Sequence, residues 1–123
     1  MAAIRVLVDD VSVATTFYTQ VLGASLDERW GEAFAQVSLG DTQLWLSGPS
    51  SSAATALEAF PEHQAPGGRV RPVLTVEDLD AVKDKLMAAE ATIAVDIVSG
   101  PGGRQLLVLD PSRNAIELFQ PRR

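Results

Sequence analysis

Short runs of alternating apolar and polar residues fill most of this chain, and two stretches switch to a helical spacing. Residues 3–9 alternate with a strand period, placing Ile4, Val6 and Val8 on one side and Ala3, Arg5 and Leu7 on the other. Asp10 follows as an N-cap for a helix in which Val13, Phe17 and Val21 recur at helical spacing, with Tyr18 and Leu22 beside them. Gly23 stands where a helix can end on a left-handed residue. Three strand-like pieces come next, over 24–29, 33–39 and 42–47, with Gly40-Asp41 as the hairpin turn between the last two.

The same order then returns. Ile4-Arg5-Val6-Leu7-Val8-Asp9-Asp10-Val11 is restated as Pro72-Val73-Leu74-Thr75-Val76-Glu77-Asp78-Leu79, in each case an apolar strand running into an Asp and then a helical pattern. The spacing predicts a strand over 70–76, a helix over 78–89 capped by Asp78, and strands near 92–98, 104–109 and 114–119. Asp110-Pro111-Ser112-Arg113-Asn114 has the turn chemistry that joins the last pair. Between the halves, 49–68 shifts to Ser, Pro, Ala and Gly, with a helical turn through 53–60.

These elements make one α+β domain over 1–123, with module 1 at 1–48, a connector at 49–68 and module 2 at 69–120. Each module reads βαβββ. Neither has enough apolar surface to stand alone, so the expected solution is a curved eight-stranded sheet with the helices on its outer face. The concave side is then free for a ligand.

Strand parity says which residues line that concavity. Leu44 and Leu46 oppose Gln43, Trp45 and Ser47; Leu74 and Val76, with Pro72, oppose Arg71, Val73 and Thr75; Ile116 and Leu118 oppose Ala115, Glu117 and Phe119. One face is aliphatic throughout and the other is mixed. Phe34, Gln36 and Ser38 join the mixed set, as do Gln105 and Leu107. The ligand-binding candidates are therefore Trp45, Arg71, Glu117, Arg5, Phe34, Gln43 and Phe119. A charge in such a cleft must be paired or used, so Glu117 is expected beside Arg71 or Arg5.

Composition narrows the function classes. The 123 residues carry no Cys, which excludes disulfides, thiolate nucleophiles and Cys-based zinc sites. A net charge of −6 disfavours nucleic acid as a partner and suits a neutral or cationic small molecule. No apolar run approaches the roughly 18 residues of a membrane span, and the N-terminus does not read as a secretory signal; a cytoplasmic protein with no membrane partner is expected. His63, the one histidine, lies in the connector and reads as an exposed loop residue. Pro66-Gly67-Gly68-Arg69 and Pro101-Gly102-Gly103-Arg104 each precede a strand rather than a helix, so they read as turns and not as anion-binding loops. Ser50–Ser52 lack a His–Asp partner system. Trp30, beside Gly31 in a tight turn, reads as a rim or dimer-contact residue.

FYTQVLGA after the first strand, GDTQLWLSGP closing the first half, VEDLDAV opening the second helix and DPSRNAIELFQP at the end together resemble the glyoxalase, bleomycin-resistance and extradiol-dioxygenase superfamily, the vicinal oxygen chelate fold. The resemblance spans essentially the whole chain and implies paired βαβββ modules, assembled as a homodimer. Metal-dependent members of that superfamily hold a divalent ion with two side chains per module. Carried over, those positions fall on Ala3, Trp45, Arg71 and Glu117, of which only Glu117 is a donor of the expected kind. No cofactor is therefore expected, with a divalent metal as the alternative.

Three readings follow from the resemblance. In the first, the protein sequesters a drug or metabolite in a metal-free cleft floored by Trp45, Phe34 and Phe119, as the bleomycin-resistance branch does. In the second it is a metal-dependent enzyme of the lactoylglutathione-lyase or dioxygenase kind, retaining its ion through Glu117. In the third it is a metal-free enzyme with Glu117 as general base.

Overall fold

A computed structural model of the chain describes residues 2–59 and 70–123. The elements are β1 (Ile4–Leu7), α1 (Val11–Thr16) running into a π-helical turn (Phe17–Val21), β2 (Ser25–Trp30), β3 (Phe34–Leu39), β4 (Thr42–Ser47) and α2 (Ser52–Glu58). The second module holds β5 (Val73–Thr75), α3 (Leu79–Ala88), β6 (Thr92–Gly100), β7 (Gly103–Leu109) and β8 (Ala115–Pro121). His63 and Pro66-Gly67-Gly68-Arg69 lie outside the described residues.

The eight strands divide into two four-stranded mixed sheets, one per module, in the orders β1-β4-β3-β2 and β5-β8-β7-β6. In each, the first strand pairs in parallel with the last, β1 with β4 and β5 with β8, and the other pairs are antiparallel. The repeat legible in the sequence is thus a repeat of βαβββ topology. The described residues of 2–59 and of 70–123 form separate compact units, so α2, expected as part of a connector, belongs with the first.

Both main helices start as the sequence dictates. Asp10 and Asp78 sit in extended conformation and accept the amide protons of Val13 (3.0 Å) and Ala81 (3.1 Å), each supplying one of the bonds a helix N-terminus lacks. Ser51 caps α2 in the same way through Ala54 N.

The buried face of α1 differs from the expected one. Phe17 and Tyr18 are buried as expected, but Val11, Ala14 and Thr15 complete the inward face and Val13 is 49% exposed. The closeness of Val11 to Gly48 fixes this phase: a Cβ on Gly48 would lie 2.8 Å from Val11 Cγ2 and 2.8 Å from Glu32 O, so only glycine lets the two segments approach. The π-turn, in which Leu22 N donates to Phe17 O (3.2 Å), inserts an extra residue and leaves Phe17 and Tyr18 edge-to-face at 5.3 Å. Gly23 then ends the helix at φ +80, a conformation costly for any residue with a Cβ.

Parity holds in both sheets. Val6, Ala35, Val37, Leu44 and Leu46 are buried on the side where α1 lies against β3 and β4. Leu74, Leu106, Val108, Ile116 and Leu118 are buried on the side where α3, through Leu79 and Leu86, lies against β7 and β8. Each fully buried Leu or Ile stabilises its module by about 1.5–3 kcal/mol relative to exposure. With these aliphatic faces committed to the helices, the opposite faces carry the polar and aromatic residues. No helix among the described residues is long and apolar enough to cross a membrane.

Candidate functional site

On the mixed face of the first module, β1 and β4 lie in register with Arg5 beside Trp45 and Leu7 beside Ser47. Arg5 Nη1 donates to Ser47 Oγ (2.9 Å), and its guanidinium carbon lies 5.2 Å from the centre of the Trp45 ring. That geometry is a cation–π contact, held in place by a side chain that is itself fully buried. On the neighbouring strand Gln36 is in register with Trp45, and Phe34 with Ser47. Phe34 meets Trp45 edge-on, with centroids 6.0 Å apart and planes at 77°; Trp30 meets Phe34 at 5.8 Å. Arg5, Trp45, Phe34 and Trp30 therefore form one continuous ladder.

Gln43 lies two residues before Trp45 on this face, opposite Ser38. Its side-chain carbonyl, like the indole N–H of Trp45, is buried without a hydrogen-bond partner among the described residues. At the far edge Ser38 donates to the Asp27 carboxylate. Trp30, read from the sequence as a rim or dimer-contact residue, is 70% exposed at the end of the ladder, whereas Ser47 as the anchor for Arg5 was missed. Alternation put Ser47 on the mixed face, but its bond depends on the β1–β4 register, which alternation does not reveal.

The mixed face of the second module is organised around one ion pair. Glu117 is in register with Val73 on β5 and Leu107 on β7, and Phe119 with Thr75 and Gln105. Arg71 donates from Nε (3.2 Å) and Nη2 (3.1 Å) to Glu117 Oε1. The Arg71 side chain is 38% exposed and that of Glu117 only 12%, so the expectation that Glu117 sits beside one of the arginines holds for Arg71.

The register makes the two modules directly comparable. The Arg5–Trp45 pair of the first occupies the place of Val73–Glu117 in the second. None of Ala3, Trp45 or Arg71 can donate a lone pair to a metal, and the Arg71 fork engages the one carboxylate at these positions. Among the described residues no group of three or more His, Cys, Asp or Glu side chains could hold a metal ion. The side chains at these positions do not fit the four-ligand requirement of a divalent centre.

A cavity of about 300 Å³ opens elsewhere in the second module, lined by Ser99, Gly100, Gly103, Arg104, Gln120 and Pro121 among others. It lies on the helix-bearing side. Gln120 accepts the Leu79 amide proton at the start of α3 (2.7 Å), and Arg104 makes a two-pronged bond to Asp80 (2.9 and 3.1 Å). Hydrogen bonding to Arg104 holds the exposed Asp80 carboxyl below its usual range. None of the expected ligand-binding residues lines this cavity, and the Pro101-Gly102 segment beside it is the β6–β7 turn, as its sequence predicts.

Comparison with known proteins agrees with this geometry. A model of the Glyoxalase/Bleomycin resistance protein/Dioxygenase superfamily matches residues 1–118. A search of curated proteins finds no match. Among solved structures, a glyoxalase/bleomycin resistance protein/dioxygenase family enzyme from Burkholderia phytofirmans PsJN is 20% identical, with a TM-score of 0.79 over 98% of this chain and 97% of that one. TnmS3, an antibiotic binding protein from Streptomyces sp. CB03234, is 27% identical, with a TM-score of 0.70 over 99% and 97%. Lactoylglutathione lyase from Agrobacterium tumefaciens is 20% identical, with a TM-score of 0.72 over 98% and 92%.

Proposed function

The chain belongs to the glyoxalase/bleomycin resistance protein/dioxygenase superfamily, and from that premise we propose that it is a small-molecule-binding protein which sequesters a flat aromatic drug or metabolite without a metal. The observation that carries this reading is the ladder of Arg5, Trp45, Phe34 and Trp30 on the open face of the first sheet. Such a surface offers a planar ligand ring stacking and edge contacts, and Trp45 within it stands at a position that corresponds to a metal ligand in the superfamily's metal-dependent members. The 27% identity to an antibiotic-binding protein supports the same direction.

Against a lyase-type or dioxygenase-type reaction stand the side chains themselves. Both mechanisms need an ion on which substrate oxygens meet, and Ala3, Trp45 and Arg71 supply no donor for one. Sequestration asks only for complementary shape and stacking, which these residues can provide.

Trp45→Ala is predicted to weaken binding of a bicyclic aromatic probe such as 2-acetylnaphthalene by about tenfold or more, from the loss of stacking and cation–π contacts. Unfolding by urea should show the fold retained. Isothermal titration of wild type and variant reads the effect, and equal affinities would overturn the proposal.

A further inference from the structure

Three polar groups meet on the mixed face of the first module, and two of them lack a hydrogen-bond partner among the described residues. Among the described residues the buried indole N–H of Trp45 finds no acceptor and the buried side-chain carbonyl of Gln43 finds no donor. Arg5 bonds a neutral hydroxyl and lies over a ring, and forms none of the ion pairs among the described residues. Buried polar groups in folded proteins are overwhelmingly hydrogen-bonded, because an unmade bond costs the full desolvation of the group. Two orphans two residues apart on one strand are therefore an expense that packing alone does not explain.

The chemistry of the three is specific. Trp45 Nε1 and Arg5 can only donate, and the Gln43 carbonyl can only accept. Gln43 and Trp45 project from the same face of β4, with Cα atoms roughly 7 Å apart. A ligand that satisfies all of them carries an acceptor oxygen and an N–H donor close together on a flat ring system. We infer that the ligand is an aromatic carboxamide or lactam, its carbonyl oxygen taken by Trp45 Nε1 and Arg5 and its N–H given to Gln43 Oε1. This rests on the reading of the face as an aromatic binding surface and adds the polar group it selects.

Both orphaned atoms are covered in the described state, so the ligand reaches them by displacing side chains. Binding then relieves a penalty the free protein carries. It follows that Gln43 and Trp45 are held at the expense of stability in exchange for selectivity.

The test uses 2-naphthamide and 2-acetylnaphthalene, which differ only in an NH2 replaced by CH3, with the full chain in titration calorimetry. Wild type should bind the amide about tenfold more tightly than the ketone, since the ketone leaves Gln43 unpaired. In Q43M that preference should disappear, while the melting temperature of the free protein rises by roughly 3 °C as the orphan is removed. W45F, which keeps a ring but loses the N–H, should weaken binding of both compounds. Equal binding of amide and ketone by wild type, or a preference that survives in Q43M, would overturn the inference while leaving aromatic binding intact. Binding of neither compound would overturn both. A lower melting temperature in Q43M would show Gln43 to be structural and would also overturn it.

Discussion

At the scale of single residues, Arg71 and Glu117 show how a charge is kept on a half-covered face. The Glu117 side chain is 12% exposed, and Arg71 reaches it with two donors. Exposed pairs contribute about 0–1 kcal/mol and breaking buried ones costs several. This pair lies between, with one partner largely in solvent. Arg71→Met, which keeps the aliphatic stem, is predicted to cost about 1–2 kcal/mol in urea denaturation, and Glu117→Gln on top of it should recover most of the loss. If R71M is as stable as wild type, the pair is ornamental and Glu117 is stabilised by something else. The proximity of these two residues was legible in the sequence because parity put both on one face and burial demanded a partner. The Arg5–Ser47 bond was not, since it depends on which residues of β1 and β4 stand side by side.

At the scale of elements, turn chemistry was the most readable signal. Asp110, only 3% exposed, accepts the amide protons of Ser112 (2.9 Å) and Asn114 (2.7 Å) and the Asn114 side-chain N–H (2.9 Å), closing the turn between β7 and β8. Arg113 takes φ +68 within it. Asp110→Ala strands two backbone donors and should cost about 2–3 kcal/mol by thermal unfolding, with Asp110→Asn costing less because one acceptor oxygen remains. A neutral D110A would mean that the turn is held by the sheet and not by its own side chain. The caps at Asp10 and Asp78 were equally legible. The inward face of α1 was legible only in part: spacing favours Val13, Phe17 and Val21 with Tyr18 beside them, and Phe17 and Tyr18 are buried, while the approach of Val11 to Gly48 brings Val11, Ala14 and Thr15 inward and leaves Val13 exposed. Helical periodicity gives a stripe; tertiary contact decides which of two neighbouring stripes is buried.

At the scale of the whole molecule, a duplicated βαβββ unit explains why site positions can be compared between the halves at all. The duplication was visible as a repeated strand-Asp-helix phrase, and the register of the two sheets bears it out. What the halves do with their equivalent positions has diverged: an aromatic ladder with an arginine in one, an ion pair with Phe119 beside it in the other. Neither set supplies the four donors of a divalent centre, so the proposed binding proceeds without an ion. The direct measurement is calorimetric titration of chelator-treated protein with 2-naphthamide, repeated after adding Ni, Zn, Mn, Fe or Mg as the divalent ion. The same affinity in every case is the predicted result; binding that appears only with a metal, or a tight stoichiometric ion on the protein itself, would contradict it.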